Sequence, residues 1–428
     1  MLMNKLKNSL VVNNCFIIFI TLCFFSCKRK DDEGLPSNIS PTTGTRTELT
    51  LDSIFLYAKE IYYWQDALPD YGTFDPRKRY AGISPELSAF QKEIYDITQY
   101  KLNPSGFPYE KTTSGEYPRY SYISKKNNSS TSAAFAPTRA QSFSQQENSP
   151  IDMDKVGYLN IDIFNDLTEM KSIFDKTFEG YTKDGIETLI IDLRKNRGGS
   201  VETVEYLANL IAPSSFNGKV MFSELYNPIL RSGKARILQN QPYLDENGKP
   251  VKIKGRLATL ADIDFSESGN ITKFSKLGKF ETVRKLYFMV SGQTASASEL
   301  LISCFKPHIP IRIIGQKTYG KPVGFFPISI DQYSVFMPSF LLLNADGWSD
   351  YFDGIPPDIN INGGTALFLE AILSDINPDS KKQSKIYALK TASKVDLDSP
   401  INDQHTIDRD FPITKKHYKF KSENNGLN

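Results

Sequence analysis

The chain has 428 residues, with 51 Lys and Arg against 49 Asp and Glu and a formal net charge of +2. That length supports a sizeable hydrophobic core over two or three domains, and the near balance of charge removes any global electrostatic case for a nucleic-acid partner. No run of 18 or more apolar residues occurs, so no permanent membrane-spanning helix is expected.

The N-terminus reads as a targeting segment. Lys5 and Lys7 precede a short apolar stretch from Cys15 to Phe25, too short to span a bilayer and suited to a signal peptide over residues 1–26. Phe24-Phe25-Ser26-Cys27 resembles a bacterial lipobox, with Phe24 where leucine is usual. That resemblance makes Cys27 the lipidated first residue of the mature chain and its membrane anchor, in the bacterial cell envelope on the periplasmic or surface side of the outer membrane. The plainer alternative is an ordinary signal peptide with a chance cysteine. Lys28-Arg29-Lys30-Asp31-Asp32-Glu33 follows and resembles the surface-export signal of lipoproteins in Bacteroidetes-type bacteria; a solvated tether is the simpler reading. Of the 4 cysteines, Cys15 and Cys23 would leave with the signal and Cys27 would carry lipid. Cys304 alone would remain, so no disulfide is expected.

Residues 27–47 read as a flexible tether. The region 48–112 reads as a small helical domain. Ile54, Tyr57, Ala58, Ile61 and Tyr62 recur at helical spacing, and a second helix is predicted from Pro85 to Tyr100. Tyr62, Tyr63 and Trp64 suit a core better than a ligand platform. Residues 113–150 are rich in Ser, Asn, Gln and Thr and are expected to be a disordered linker or loop. From 151 to 376 the texture is that of an α/β core. Strands are predicted at 156–161, 188–193, 285–290 and 312–315, with helices at 166–178, 201–211 and 295–305. Residues 216–284 suggest a β-rich insertion, and 377–428 a polar, loosely packed tail.

Three segments carry chemistry. Asp192-Leu193-Arg194-Lys195-Asn196-Arg197-Gly198-Gly199-Ser200 ends a buried strand in paired glycines. It reads as an oxyanion-hole loop using Gly198 or Gly199, or as a tight turn with Arg194 in a structural salt bridge. Ser291-Gly292-Gln293-Thr294-Ala295-Ser296-Ala297-Ser298-Glu299 follows a strand and opens a helix. A serine there meets unsatisfied helix N–H groups, with Ala297 as an oxyanion donor; the bland alternative is a capping box closed by Glu299. Gly315-Gln316-Lys317-Thr318-Tyr319-Gly320-Lys321-Pro322 follows the next strand and sets Lys321 in a stretch without surface character.

Together and in this order, these segments resemble the tail-specific, or C-terminal processing, serine proteases. A closing Gly354-Ile355-Pro356-Pro357-Asp358-Ile359 segment and the helical N-terminal region add to the likeness. The resemblance implies an α/β fold with a crotonase-like (ClpP-like) protease core, Ser296 as nucleophile and Lys321 as general base. It implies a serine endopeptidase acting on protein or peptide substrates. Two departures stand out. Phe325 occupies the position where many members carry a dyad-orienting glutamine, and the space between the helical region and the core is too small for a PDZ domain.

Rival nucleophiles fare worse. Ser298 faces away from Ser296 on the same helix. Ser200 has no identifiable base, and Pro307 separates Cys304 from His308. With 3 histidines a Ser–His–Asp triad has poor material. No cofactor and no metal is expected. The alternatives are a catalytically inactive peptide-binding surface lipoprotein of the same fold, and an acyl-CoA enzyme using the Gly198–Gly199 hole, which leaves Ser296 and Lys321 without a role.

Overall fold

The computed structural model describes residues 40–112, 115–126, 155–245, 248–376 and 418–421. The expected signal peptide, Cys27, most of the tether, residues 127–150 and most of the tail lie outside the described residues.

Helix α1 (Arg46–Ile61) starts earlier than its apolar stripe suggests. Thr45 is its cap: Thr45 Oγ1 accepts the Glu48 N–H at 3.2 Å, and Glu48 Oε2 accepts the Thr45 N–H at 2.7 Å. Short helices α2 (Tyr71–Phe74) and α3 (Pro76–Tyr80) lead to α4 (Glu86–Thr98). Leu51, Ile54, Phe55 and Ile61 of α1 belong to the same contiguous core as the α/β unit. Asn227 Nδ2 seals this junction by donating to the Glu60 and Tyr62 carbonyls at 2.9 and 3.0 Å. Tyr62 and Trp64 are buried, with Trp64 stacked on Tyr109 at 4.7 Å.

Strand β1 (Tyr122–Lys125) falls inside the stretch expected to be a linker, and corrects that expectation for residues 115–126. It pairs antiparallel with the strand Tyr333–Phe336. The serine-rich composition hides two aids to folding. Tyr120, Tyr122 and Ile123 bury apolar surface. The buried Glu110 carboxylate accepts the Ser121 N–H and Oγ–H, each at 2.8 Å, the Tyr120 N–H at 3.2 Å and the Tyr62 hydroxyl at 2.9 Å.

The α/β unit alternates β2 (Val156–Asn160), α5 (Leu167–Lys183), β3 (Thr188–Asp192) and α6 (Val201–Ile211). An excursion then carries β4 (Val220–Tyr226), α7 (Pro228–Arg231), β5 (Lys252–Ile253), β6 (Arg256–Leu257) and β7 (Ile271–Lys273), matching the expected β-rich insertion. The core resumes with β8 (Lys285–Val290), α8 (Ala297–Phe305) and β9 (Ile311–Gly315). Next come β10 (Val323–Gly324), β11 (Ile328–Ile330), β12 (Tyr333–Phe336), β13 (Phe340–Leu343), β14 (Ile359–Asn360) and α9 (Thr365–Ile376).

The central sheet has five parallel strands in the order β14-β9-β8-β3-β2. Period-two alternation sorts its side chains. Leu189, Ile191, Leu286, Phe288 and Val290 face the main core with α5, α6 and α8. Ile190, Tyr287 and Met289 face α9, which covers the other side through Phe368, Leu369, Ile372 and Leu373. Burial on both faces is why these strands read as near-continuous apolar runs. A second sheet, β10-β13-β4-β7, is antiparallel. From the expected tail, Tyr418 and Phe420 pack against Tyr243, and Phe420 bridges to Ile263.

The sheet places the three chemical segments side by side. Each leaves the carboxyl end of one of three adjacent parallel strands, β3, β8 and β9. Substituting Leu189→Ala at the centre of this sheet should cost about 2–5 kcal/mol in a denaturant titration, whereas Leu102→Ala, at a residue 51% exposed, should cost under about 0.5 kcal/mol.

Candidate active site

The loop after β3 is anchored before its glycines begin. Asp192 and Arg194 form a buried two-pronged ion pair, Nε–Oδ1 2.9 Å and Nη2–Oδ2 2.5 Å. The Tyr158 hydroxyl donates to Asp192 Oδ2 at 2.7 Å, and Arg194 Nη2 donates to Thr365 Oγ1 at 2.5 Å. Burial pushes the Asp192 pKa up, but the Arg194 charge and these bonds more than offset it and hold the carboxyl below its ordinary range. The Arg194 side chain is therefore structural.

Asn196, fully buried, is the joint between loops. Its Nδ2 donates to the Ile161 carbonyl at 3.0 Å, and its Oδ1 accepts the Gly198 N–H at 2.9 Å. Its own carbonyl accepts the Ala295 N–H at 3.2 Å and the Ser298 hydroxyl at 3.2 Å. Gly198 has φ 116° and lies directly against Ser296. A Cβ at this position would stand 2.8 Å from Ser296 Cβ and 3.1 Å from its Oγ, so only glycine leaves the serine room. The Gly198 N–H is already used by Asn196, which takes it out of the expected pair of donors. The Gly199 N–H has no hydrogen-bond partner among the described residues.

Ser296 sits where β8 turns into α8. Its backbone has φ 62° and ψ −117°, a region L-residues avoid, at a cost of roughly 1–3 kcal/mol. The residue is 1% exposed, and its Oγ has no hydrogen-bond partner among the described residues. The strain turns the hydroxyl toward Gly198 at the positive end of the helix. The following N–H, that of Ala297, is likewise without a partner among the described residues. Ser298 points instead at Asn196 and is fully buried.

The expected capping carboxylate does more than cap. Glu299 is fully buried. Its Oε2 accepts the Ser296 N–H and the Lys321 N–H, both at 2.8 Å. Its Oε1 accepts the Gly320 N–H at 2.6 Å and the Thr318 hydroxyl at 2.5 Å. Burial raises the Glu299 pKa, and these bonds work against the rise. One carboxylate thus joins the backbones of the serine and lysine loops. Gly320, with φ 90°, admits the Phe352 carbonyl so closely that a Cβ would lie 2.3 Å from it.

Lys321 is half-buried as a residue, with its amine end enclosed. Burial lowers its pKa to about 8, against the opposing charges of Glu299 and Glu110. Nζ lies 4.9 Å from the centroid of the Phe325 ring. The lysine loop is also held from the N-terminal side. Arg119 donates to the Tyr319 and Phe352 carbonyls, the second at 2.8 Å, and the Tyr120 hydroxyl donates to the Gly320 carbonyl at 2.6 Å. Neither Arg119 nor Tyr120 stood out in the sequence, because both sit in the presumed linker. The alternation Tyr120-Ser121-Tyr122 was the available signal.

Residues 155–361 match the model of peptidase family S41. These residues belong to peptidase family S41. The α/β core is accordingly the ClpP-like core of that family, in line with the likeness to tail-specific proteases. A probable CtpA-like serine protease of Staphylococcus haemolyticus strain JCSC1435 is 24% identical over 215 residues, 49% of this chain and 34% of that relative. The chain thus spans about a third of the curated relative it matches. The solved photosystem II D1 C-terminal processing protease superposes with a TM-score of 0.42 at 15% identity, covering 75% of this chain and 94% of that one. A lipoprotein from Streptococcus agalactiae does so with a TM-score of 0.41 at 12% identity, covering 80% and 99%.

In the S41 domain, Glu299→Gln keeps the shape but turns an amide NH2 toward N–H donors. It should cost roughly 3 kcal/mol in chemical denaturation, whereas Ser298→Ala, which removes one neutral bond, should cost about 1 kcal/mol.

Proposed function

We propose that this chain, through its S41 region, is a serine endopeptidase that cleaves peptide bonds through an acyl-enzyme. The observation that carries the reading is the joint placement of Ser296 and Lys321. A strained, buried serine with an unsatisfied hydroxyl shares a carboxylate oxygen with the loop of a lysine whose burial favours the neutral amine.

Neutral Lys321 takes the Ser296 proton as Oγ attacks the substrate carbonyl carbon. The oxyanion is received by the Ala297 and Gly199 N–H groups, which cost no reorganisation because they are already unpaired. Lysine then returns the proton to the leaving amine, and water hydrolyses the ester, restoring Ser296. The peptide lies extended along a sheet edge, held by backbone hydrogen bonds. Cys27 anchors the enzyme to the bacterial envelope through lipid. No described helix is long and apolar enough to cross a membrane.

A second reading, an inactive peptide-binding protein of the same fold, draws on the 1% exposure of Ser296, which leaves a substrate carbonyl no open path to Oγ in this conformation. One comparison separates the two. Wild type should degrade unfolded casein and be labelled by a serine-directed phosphonate, and Ser296→Ala should do neither; equal turnover by both proteins would sink the protease reading.

The pH dependence follows from Lys321. With a pKa of about 8, roughly a tenth of the amine is neutral at pH 7, so kcat/KM should rise about tenfold per pH unit below pH 7, about fivefold between pH 7 and 8, and level off above that. Stability should respond with a definite sign. Between about 8 and the ordinary value of 10.5 the unfolded chain binds more protons than the folded one, so stability rises with pH across that window. At pH 7 the burial penalty is fully present. Lys321→Met should therefore abolish turnover while giving a Tm at pH 7 no lower than wild type. For the anchor, metabolic labelling with radiolabelled palmitate should mark the wild-type chain and miss Cys27→Ala.

A further inference from the structure

We propose that the Lys321 amine is oriented by an aromatic seat, with Phe325 as a positioning residue backed by Tyr122 and Phe336. The inference rests on the reading of Lys321 as the base, and names a ring surface that helps to aim it.

The geometry begins in the chain direction. Pro322 keeps Lys321 out of the helical region, and Val323–Gly324 is extended in β10. In extended chain, side chains four apart project to the same side, so Phe325 returns beneath the lysine. The contact is made: Nζ stands 4.9 Å from the Phe325 centroid, within range for a cation over a ring face. Phe325 is fully buried, so the ring offers a fixed surface.

Two further rings fix it. Tyr122 and Phe336 are register partners on β1 and β12, stacked at 4.5 Å with 12° between their planes. Phe325 packs edge-on against both, at 6.3 and 5.9 Å. These residues form a cluster of their own, separate from the main core. One of the three comes from the N-terminal segment that also supplies Arg119 and Tyr120 to the lysine loop. Glu299 thus holds the backbone of the base, and the rings give its side chain a surface to lie against.

The seat has an electrostatic consequence. A ring face stabilises the ammonium more than the amine, and so opposes the surrounding burial. The charged groups facing Lys321 are Glu299 from α8 and Glu110 from the N-terminal region, both of which also favour the ammonium, with Arg119 on the adjoining carbonyl. Removing the ring should leave the amine easier to deprotonate and less well aimed.

The test uses the full chain, with lysine labelled at 13Cε and the Lys321 resonance assigned by its loss in Lys321→Arg. In Phe325→Leu the Lys321 titration midpoint should fall by about one pH unit. The plateau kcat should fall about tenfold, with the acid limb of kcat/KM moving down with the midpoint. Phe325→Tyr, which keeps the ring, should restore both. Should Phe325→Leu fail to fold, the volume-conserving Phe325→Met carries the same expectation. An unchanged midpoint and plateau in the folded variant overturn the proposal. A shifted midpoint with an unmoved rate profile upholds the seat and overturns the role of Lys321 as base. Absence of phosphonate labelling at Ser296 in wild type rejects the protease reading by itself.

Discussion

The site depends on where a single negative charge is kept. Glu299 sits in the interior, where an unpaired carboxylate would be prohibitive, and it is retained because four donors meet it. Two of those donors, from different loops, share one oxygen. The distance between the serine and lysine backbones is therefore set by hydrogen-bond lengths rather than by loop packing. A helix-capping residue has become the fastener between two strand ends.

The parallel sheet makes that fastening possible. Three neighbouring strands deliver three loops to one edge, and each loop then departs from ordinary backbone geometry. Gly198 yields space, Ser296 bears strain, and Gly320 admits a carbonyl. Asn196 couples the first loop to the second, and Glu299 couples the second to the third. The strain at Ser296 is over-determined by these neighbours, the condition under which such a conformation persists. Placing the most distorted residues where the most polar bonds converge is how a marginally stable fold keeps a rigid site.

Much of this was legible in the residues. The near-continuous apolar run at Thr188–Leu193 announced a doubly buried strand, because Leu189, Ile190 and Ile191 put apolar side chains on both faces. The Gly-Gly, Ser296 and Lys321 segments could be placed at strand ends from punctuation alone. What escaped was anything set by long-range partners. Glu299 looked like a local cap because the Gly320 and Lys321 N–H groups it also serves are remote in sequence. Gly198 and Gly199 looked equivalent as donors, and only the Asn196 side chain distinguishes them. Residues 119–125 were lost to composition: serine on either side masked a short alternating strand that the buried Glu110 holds in place.

The junction between α1 and the α/β unit has an evolutionary corollary. Because the helix shares its apolar interior with the sheet region, the described residues offer no seam between α1 and the α/β unit at which the latter could be excised or swapped as a cassette. Diversification then falls to surface excursions such as the one between α6 and β8, and inherited lesions deep in the first helix would be felt in the α/β unit it packs against.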